Sequence, residues 1–295
     1  MEKINTFCVL TLNNEKGLKR FLYTLYKHTP HNFYVYVIYQ GHNDNLLNEI
    51  KEVCKEFTDN PVHLFIKPYK NLGFAKGMNE MIKLVETLYC TICNDDVELM
   101  YDNWWQEVEE IFATDPELGG FNPHSPCNKM HTGDRMLQYP YKTEYTMEDI
   151  KNIKKIFIGQ AWYVGCCTYF TIFKKKMFDE VGLYDESFGV GSGEDYDLCC
   201  RSARKGWKIV GGSKVIVWHW WGDTKDNMPV EVLNGISNYD LIAGGNQNME
   251  RKWGQHIDKD PKGWSVSGQG GPDIPFDADT GIYKEKGKWF QTKEL

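Results

Sequence analysis

The feature that most constrains this chain is a repeated exchange of two hydrophobic periods through its first half. "TFCVLTL" (6–12), "YVYVIYQ" (34–40), "HLFIKP" (63–68) and "YCTICN" (89–94) are short apolar runs rich in strand formers. Between them, Leu18, Phe21, Leu22 and Leu25, the segment near 45–57, and then Met78, Met81, Ile82 and Val85 follow helical spacing. Asn103, Trp104, Val108, Ile111 and Phe112 continue the series to "TDPELGG". Strands that alternate with helices of this length join through right-handed crossovers, so the expected class is α/β, a mainly parallel twisted sheet flanked by helices. Ligands on such sheets bind beyond the carboxyl ends of the strands. That rule puts Asn13, Gln40, Pro68 to Asn71, and Asn94 to Asp96 along one rim.

The rhythm changes after residue 120. Residues 121–160 are polar and turn-rich, and read as a long loop or lid that contacts an acceptor. Strand character resumes over 161–173, followed by a short helix and turn. "SGEDYDLCCRSARKG" predicts a helix capped by Ser192, with Tyr196, Cys199, Cys200 and Ala203 inward and Gly206 at its end. "KVIVWHWW" (214–221) predicts a last strand. The expected division is one domain over 1–240 and a C-terminal extension over 241–295.

The chain of 295 residues carries a net charge of −7, which gives a nucleic-acid surface no support. No apolar run reaches the roughly 20 residues of a membrane span, and the N-terminus reads as a first strand rather than a leader. The nine cysteines include "CTIC" (90–93), but on a strand Cys90 and Cys93 face opposite sides, so a metal or redox pair is not expected there, and Cys166, Cys167, Cys199 and Cys200 read as small core residues. A reducing, cytoplasmic setting is expected.

Three elements carry candidate chemistry: "NDD" (94–96), "EDYD" (194–197) and His219 in "VWHWW". Each has an ordinary explanation: a solvated turn, acids favouring a helix N-terminus, and a packed core imidazole. All three, however, fall at the ends of predicted elements. Two carboxylates with an imidazole form a reasonable ligand set for Mn²⁺ or Mg²⁺ holding a diphosphate.

The succession "LTLNN", "NLGFAKGMN" (71–79), "CNDDVEL" (93–99), "GCC" (165–167), "DEVGLYDESF" (179–188), "GEDYDLCCRSARKGWKIV" (193–210) and "VWHWWGDT" (217–224) resembles family 2 glycosyltransferases of the GT-A fold, in particular rhamnosyltransferase-like, polysaccharide-building members. The similarity runs over about residues 4–225, and "KWG" (252–254) is similar to the end of many such domains.

The resemblance implies an inverting, metal-dependent transferase that moves a sugar from a nucleoside-diphosphate donor to a hydroxyl of a saccharide or lipid-linked acceptor. It implies Asp96, His219 and Asn94 as metal ligands and Asp195 as catalytic base. Thr11, Asn13, Gln40, Asn71, Gly73, Lys76 and Asp95 would contact the nucleotide sugar, and Trp162, Gly165 and Glu194 the transferred sugar or acceptor. Asp197 is expected to be structural, bonded to backbone at the helix start.

The pattern breaks at "VIYQGHND" (37–44), where Tyr39 stands in place of the family's Asp. That leaves the donor base open and makes Tyr39 a candidate for stacking on it. The rival readings are an inactive carbohydrate- or partner-binding relative, and a nucleotidyltransferase using the same acidic rim.

Overall fold

The protein is described from a computed structural model covering residues 3–29, 32–41, 43–58, 60–67, 71–126, 139–156, 169–220 and 238–253, with backbone alone for 156, 161–163, 238–242, 246, 276–277 and 282–283. The chain runs β1 (Asn5–Thr11), α1 (Glu15–His28), β2 (Phe33–Tyr39), α2 (Asp44–Lys55), β3 (Val62–Ile66), α3 (Phe74–Ile82), β4 (Tyr89–Asn94) and β5 (Val97–Leu99). It continues through α4 (Trp104–Thr114), β6 (Leu118–His124), α5 (Met147–Ile156), β7 (Ala161–Tyr163), β8 (Phe170–Lys174) and α6 (Lys175–Val181). A 3-10 turn (Glu186–Phe188), α7 (Glu194–Arg204), β9 (Lys208–His219) and α8 (Asn238–Trp253) follow, then the short pair β10 (Phe276–Asp277) and β11 (Ile282–Tyr283).

The main sheet has the order β3-β2-β1-β4-β8-β6-β9-β5, with β7 also on β9. Strands β1 to β4 are mutually parallel, β8 is antiparallel to β4 and to β6, and β9 is parallel to β6. Strands β5 and β7 are antiparallel to β9, so with β8, β5 and β7 reversed, β1, β2, β3, β4, β6 and β9 all point the same way. Their carboxyl ends, Thr11, Tyr39, Ile66, Asn94, His124 and His219, form one rim.

The strand alternation divides the core between two faces. Phe7 and Val9 of β1 pack with Leu18, Phe21 and Leu22 of α1, with Leu47 of α2 and with Trp104 of α4. Cys8 packs on the opposite face with Met78 and Met81 of α3, Met177 of α6 and Leu198 of α7. Local signals agree with these helices. Asn14 Oδ1 accepts from Gly17 N at 3.0 Å to start α1, and Asn43 caps α2. Lys27 and His28 then complement the α1 dipole at its far end. Cys90 and Cys93 lie on opposite faces of β4, as the strand period requires, and both are fully buried.

Several boundaries differ from those expected. Residues 121–124 are buried strand rather than the start of a loop, because Phe121 pairs with Ile172 of β8 and Asn122 with Gly211 of β9. Residues 147–156 form α5, which sends Ile150 and Ile153 into the core. β9 begins at Lys208, six residues before the apolar run that announced it, since Gly211 and Gly212 dilute the strand pattern. Its register against β6 jumps from Pro123↔Gly212 to His124↔Ile216, so residues 213–215 bulge out and the strand end turns onto β5. Ser192 does not cap α7: its φ is +83°, and Gly193 holds the N-cap position without a side-chain bond. A domain boundary at 240 would cut α8, whose Met249 is fully buried against Phe188 and Cys200.

Candidate active site

Two carboxylates follow β4 at the rim, and each is held by a different part of the chain. Asp95, 3% exposed, accepts a hydrogen bond from Asn14 Nδ2 at 3.1 Å, which ties it to the start of α1. Asp96, 4% exposed, lies beside the end of β9. The antiparallel ladder pairs Val97 with His219, and Trp220 N donates to the Asp96 carbonyl at 2.9 Å. That pairing brings His219 Nε2 to 3.1 Å from Asp96 Oδ1. The imidazole is itself fixed by stacking on Tyr169, with ring centroids 4.6 Å apart and planes at 16°. Tyr169 is anchored in turn, its hydroxyl donating to Pro123 O at 2.5 Å and its carbonyl accepting from Asn94 N at 2.8 Å. The His219 backbone N–H donates to Ser125 Oγ.

The proximity of Asp96 and His219 is not hydrogen bonding. Asp96 Oδ1 is buried and receives no hydrogen bond from any described group. Two ligands at about 2.1 Å from one octahedral ion lie roughly 3 Å apart, which is the separation seen here. A carboxylate oxygen and an imidazole nitrogen are suitable donors for Mn²⁺ or Mg²⁺. Among the described residues no group of three or more His, Cys, Asp or Glu surrounds a single point. The protein set is thus partial, as for ions that complete their shell with substrate phosphates and water. The residues fit the ion.

On the α3 side of the rim, Gln40 is buried, and its amide oxygen accepts from Leu72 N at 3.1 Å. Asn71 Oδ1 accepts from Gly73 N at 2.9 Å. Gly73 has φ +78°, and a Cβ there would come within 2.5 Å of the Gly189 carbonyl, so only glycine fits. Phe74 N then donates to Val190 O, linking this loop to the segment that leads into α7. Gln40 and Asn71 therefore shape the 71–73 turn with the groups expected to read a nucleotide. Thr11 Oγ1 and Asn13 Oδ1, at the end of β1, are buried and without hydrogen-bond partners among the described residues. Lys76 is exposed on α3.

α7 precedes β9 through a short connection closed at Gly206, so the helix descends from the rim before the strand climbs back to it. Its first turn therefore lies at the end of the sheet that holds His219. Glu194 and Asp195 are buried there, 5% and 7% exposed, and Asp195 Oδ1 accepts from Tyr196 N at 2.9 Å. Asp197 is bonded to side chains and not to local backbone, with Arg201 Nε on one oxygen and Lys252 and Trp253 on the other.

Tyr39 does not serve as a stacking surface. It is 1% exposed, its hydroxyl donates to Asn43 O at 2.8 Å, and burial pushes its phenol pKa up. The backbone of Trp162, in β7, pairs with Gly211 of β9, while its side chain and Gly165 lie outside the described residues.

Sequence reasoning missed Asn14, Tyr169 and Ser125, which orient Asp95 and His219. It also missed Glu98, a buried carboxylate that receives Trp220 Nε1 at 2.6 Å and Tyr141 OH at 3.1 Å and pairs with Arg20 at 3.2 Å. Asn14 and Glu98 fall inside the motifs "LTLNN" and "CNDDVEL", but neither stands out there as a site residue. Tyr169 looks like any aromatic of a core strand.

The sequence profile described as "Glycosyl transferase family 2" matches residues 6–182. No curated protein gives a significant match. Solved structures do. The mannosyltransferase PcManGT from Pyrobaculum calidifontis, in complex with GDP-Man and Mn²⁺, superimposes with TM-score 0.54 at 13% identity, over 74% of this chain and 57% of its own. GalNAc-T7 with UDP, GalNAc and Mn²⁺ gives 0.56 at 14%, over 74% and 44%. Residues 1–349 of S. aureus TarS give 0.52 at 13%, over 84% and 72%. This chain thus spans about half the length of the first two structures, and at these identities the likeness is one of fold.

Proposed function

This chain belongs to glycosyl transferase family 2 and is a glycosyltransferase, and from that premise we propose that it is an inverting, metal-dependent enzyme using a nucleoside-diphosphate sugar. The observation that carries the proposal is the 3.1 Å approach of Asp96 Oδ1 to His219 Nε2, at the rim where α7 presents Asp195.

In this reading Asp96, His219 and Asn94 hold Mn²⁺ or Mg²⁺, the former being the ion bound in two neighbours of this fold. When bound, the ion supplies Lewis-acid neutralisation of the departing diphosphate. Thr11, Asn13, Asp95 and the Gln40–Asn71–Gly73 turn bind the nucleotide sugar, with Lys76 reaching its phosphate or ribose. Asp195 takes the proton of the acceptor hydroxyl while that oxygen bonds to the anomeric carbon, and the carbon–oxygen bond to the diphosphate breaks on the opposite face. One displacement inverts the anomeric centre, and a single base suffices, unlike the carboxylate pair of a hydrolase. Such general-base assistance contributes about 10²–10⁴-fold. Glu194 orients the acceptor, and Trp162 and Gly165 flank the sugar.

The acceptor is a saccharide or a lipid-linked saccharide; among the described residues no helix is long and apolar enough to cross a bilayer. A cytoplasmic site of action is part of the proposal, supported by the free thiols of Cys8, Cys54, Cys90, Cys93, Cys199 and Cys200. Incubation with UDP-, GDP- and dTDP-sugars and Mn²⁺ tests the reading. Release of intact nucleoside diphosphate with an inverted sugar linkage, lost in Asp96→Ala, is expected. Release of monophosphate or pyrophosphate refutes it in favour of a nucleotidyltransferase.

A further inference from the structure

Asp197 is fully buried two residues after Asp195, and its partners come largely from the last described helix. Lys252 Nζ lies 2.7 Å and Trp253 Nε1 2.9 Å from Asp197 Oδ1, while Arg201 Nε holds Oδ2 at 2.8 Å. Arg201 also donates to the carbonyls of Val181 and Leu183. Lys252 reaches Asp185 as well, at 2.6 Å, so one ammonium joins the 3-10 turn before α7 to the first turn of α7 itself. Partial burial opposes ionisation of Asp185, but Lys252 and Ser187 outweigh it and hold its pKa at about 2.

A second observation comes from the backbone. Ser192 sits at φ +83°, a conformation that non-glycine residues keep only when their surroundings impose it. α8 provides those surroundings. A Cβ on Gly245 would fall 2.5 Å from Ser192 O and 2.6 Å from its Oγ, so the helix backbone presses directly on the strained residue. Met249, fully buried, packs with Phe188 and Cys200 beneath the same turn.

We propose that α8 braces the acceptor-activating turn: Lys252 and Trp253 are positioning residues that fix Asp195 through Asp197, while Gly245 holds Ser192 in its strained form. A buried carboxylate with three N–H donors cannot shift without leaving charge unpaired, which makes Asp197 a rigid pivot for the residue before its neighbour. The donor-side residues hang from β1, β2, β4, β9 and the turn into α3, not from α8. The brace therefore acts first on the turn that carries the base, and it meets the nucleotide half only where Gly73 and Phe74 lie against Gly189 and Val190. This inference rests on the reading of Asp195 as base.

The test uses the full chain with Lys252→Met and Trp253→Phe, the second keeping a ring over Arg204, whose Cζ is 4.2 Å from the indole centroid. Hydrogen exchange of 190–197 should quicken about tenfold as this turn opens locally, with 94–99 and 214–219 unchanged. Turnover is read as nucleoside diphosphate released from UDP-glucose, UDP-N-acetylglucosamine, GDP-mannose and dTDP-rhamnose with Mn²⁺. The kcat should fall about 10- to 100-fold, the scale of a misplaced catalytic group, with donor KM within about twofold, and Lys252→Arg should restore turnover. Unchanged exchange in both folded variants overturns the brace. So does unchanged kcat, or a rise in donor KM that matches the loss. If Lys252→Met does not fold, Trp253→Phe alone decides. A parent without turnover, or one indifferent to Asp195→Asn, sinks the assignment of the base instead, and the exchange measurement still reads the brace by itself.

Discussion

Asp96→Asn is expected to stabilise the metal-free protein and abolish its response to Mn²⁺. The substitution is isosteric, so packing does not change and the sign rests on electrostatics. Asp96 is 4% exposed, and its Oδ1 receives no hydrogen bond. A buried polar atom left in that state costs about 1–3 kcal/mol, and a charge costs more than an amide. Removing the charge should recover about 1 kcal/mol, a rise in Tm of about 2–4 °C for a chain of this size.

In the parent, Mn²⁺ at about 100 times its Kd should add about 2.7 kcal/mol, or roughly 5–10 °C, and this increment should vanish in the variant. The competing view is that Asp96 and a protonated His219 form a buried ion pair for its own sake. Breaking such a pair costs about 3–5 kcal/mol, a fall in Tm of roughly 6–20 °C. Differential scanning fluorimetry with EDTA and then Mn²⁺ separates the two. A metal-free variant that melts several degrees below the parent, or that keeps the Mn²⁺ increment, refutes the argument.

Asp195→Asn should retain the thermal shift produced by nucleoside diphosphate with Mn²⁺ while losing about 10²–10⁴-fold in turnover, measured as diphosphate release. Gly73→Ala forces a Cβ against the Gly189 carbonyl at φ +78°; it should cost about 1–3 kcal/mol in urea unfolding and weaken nucleotide binding by calorimetry. Burial pushes the Cys54 thiol up to about 12 and raises the phenol of Tyr26, while burial and then Glu98 raise that of Tyr141 to about 12. The unfolded chain loses these protons first, so stability should hold below about pH 9 and fall as pH rises from there toward 12, which chemical denaturation across that range would record. By the same burial, iodoacetamide at pH 8 should leave Cys8, Cys54 and Cys93 unmodified in the native protein, as peptide mass mapping would show.

Periodicity was a sound guide wherever an element buries one clean face. Leu18, Phe21, Leu22 and Leu25 are all fully buried in α1, and the rim could be located from strand order alone. It failed where glycine or proline interrupts a strand, as in "LGGFNPH" of β6 and "KIVGG" of β9, because neighbouring strands rather than local preference hold those segments extended. The charged candidate residues could be placed at element ends from the sequence. Their supports could not, since Asn14, Tyr169 and Glu98 acquire their roles only through contacts far along the chain. Gln40 shows the converse: its position was foreseen, but its amide oxygen supports the Leu72 backbone.

The extra residues that β9 carries opposite the Pro123–His124 step set His219 in phase with Val97 by counting rather than by chemistry. Side chains on a strand change sides with every residue, so gaining or losing one position between 213 and 219 would turn the imidazole to the opposite surface and bring Trp218 or Trp220 beside Asp96. Descendants of this sequence can therefore exchange amino acids along that stretch far more freely than they can alter its length.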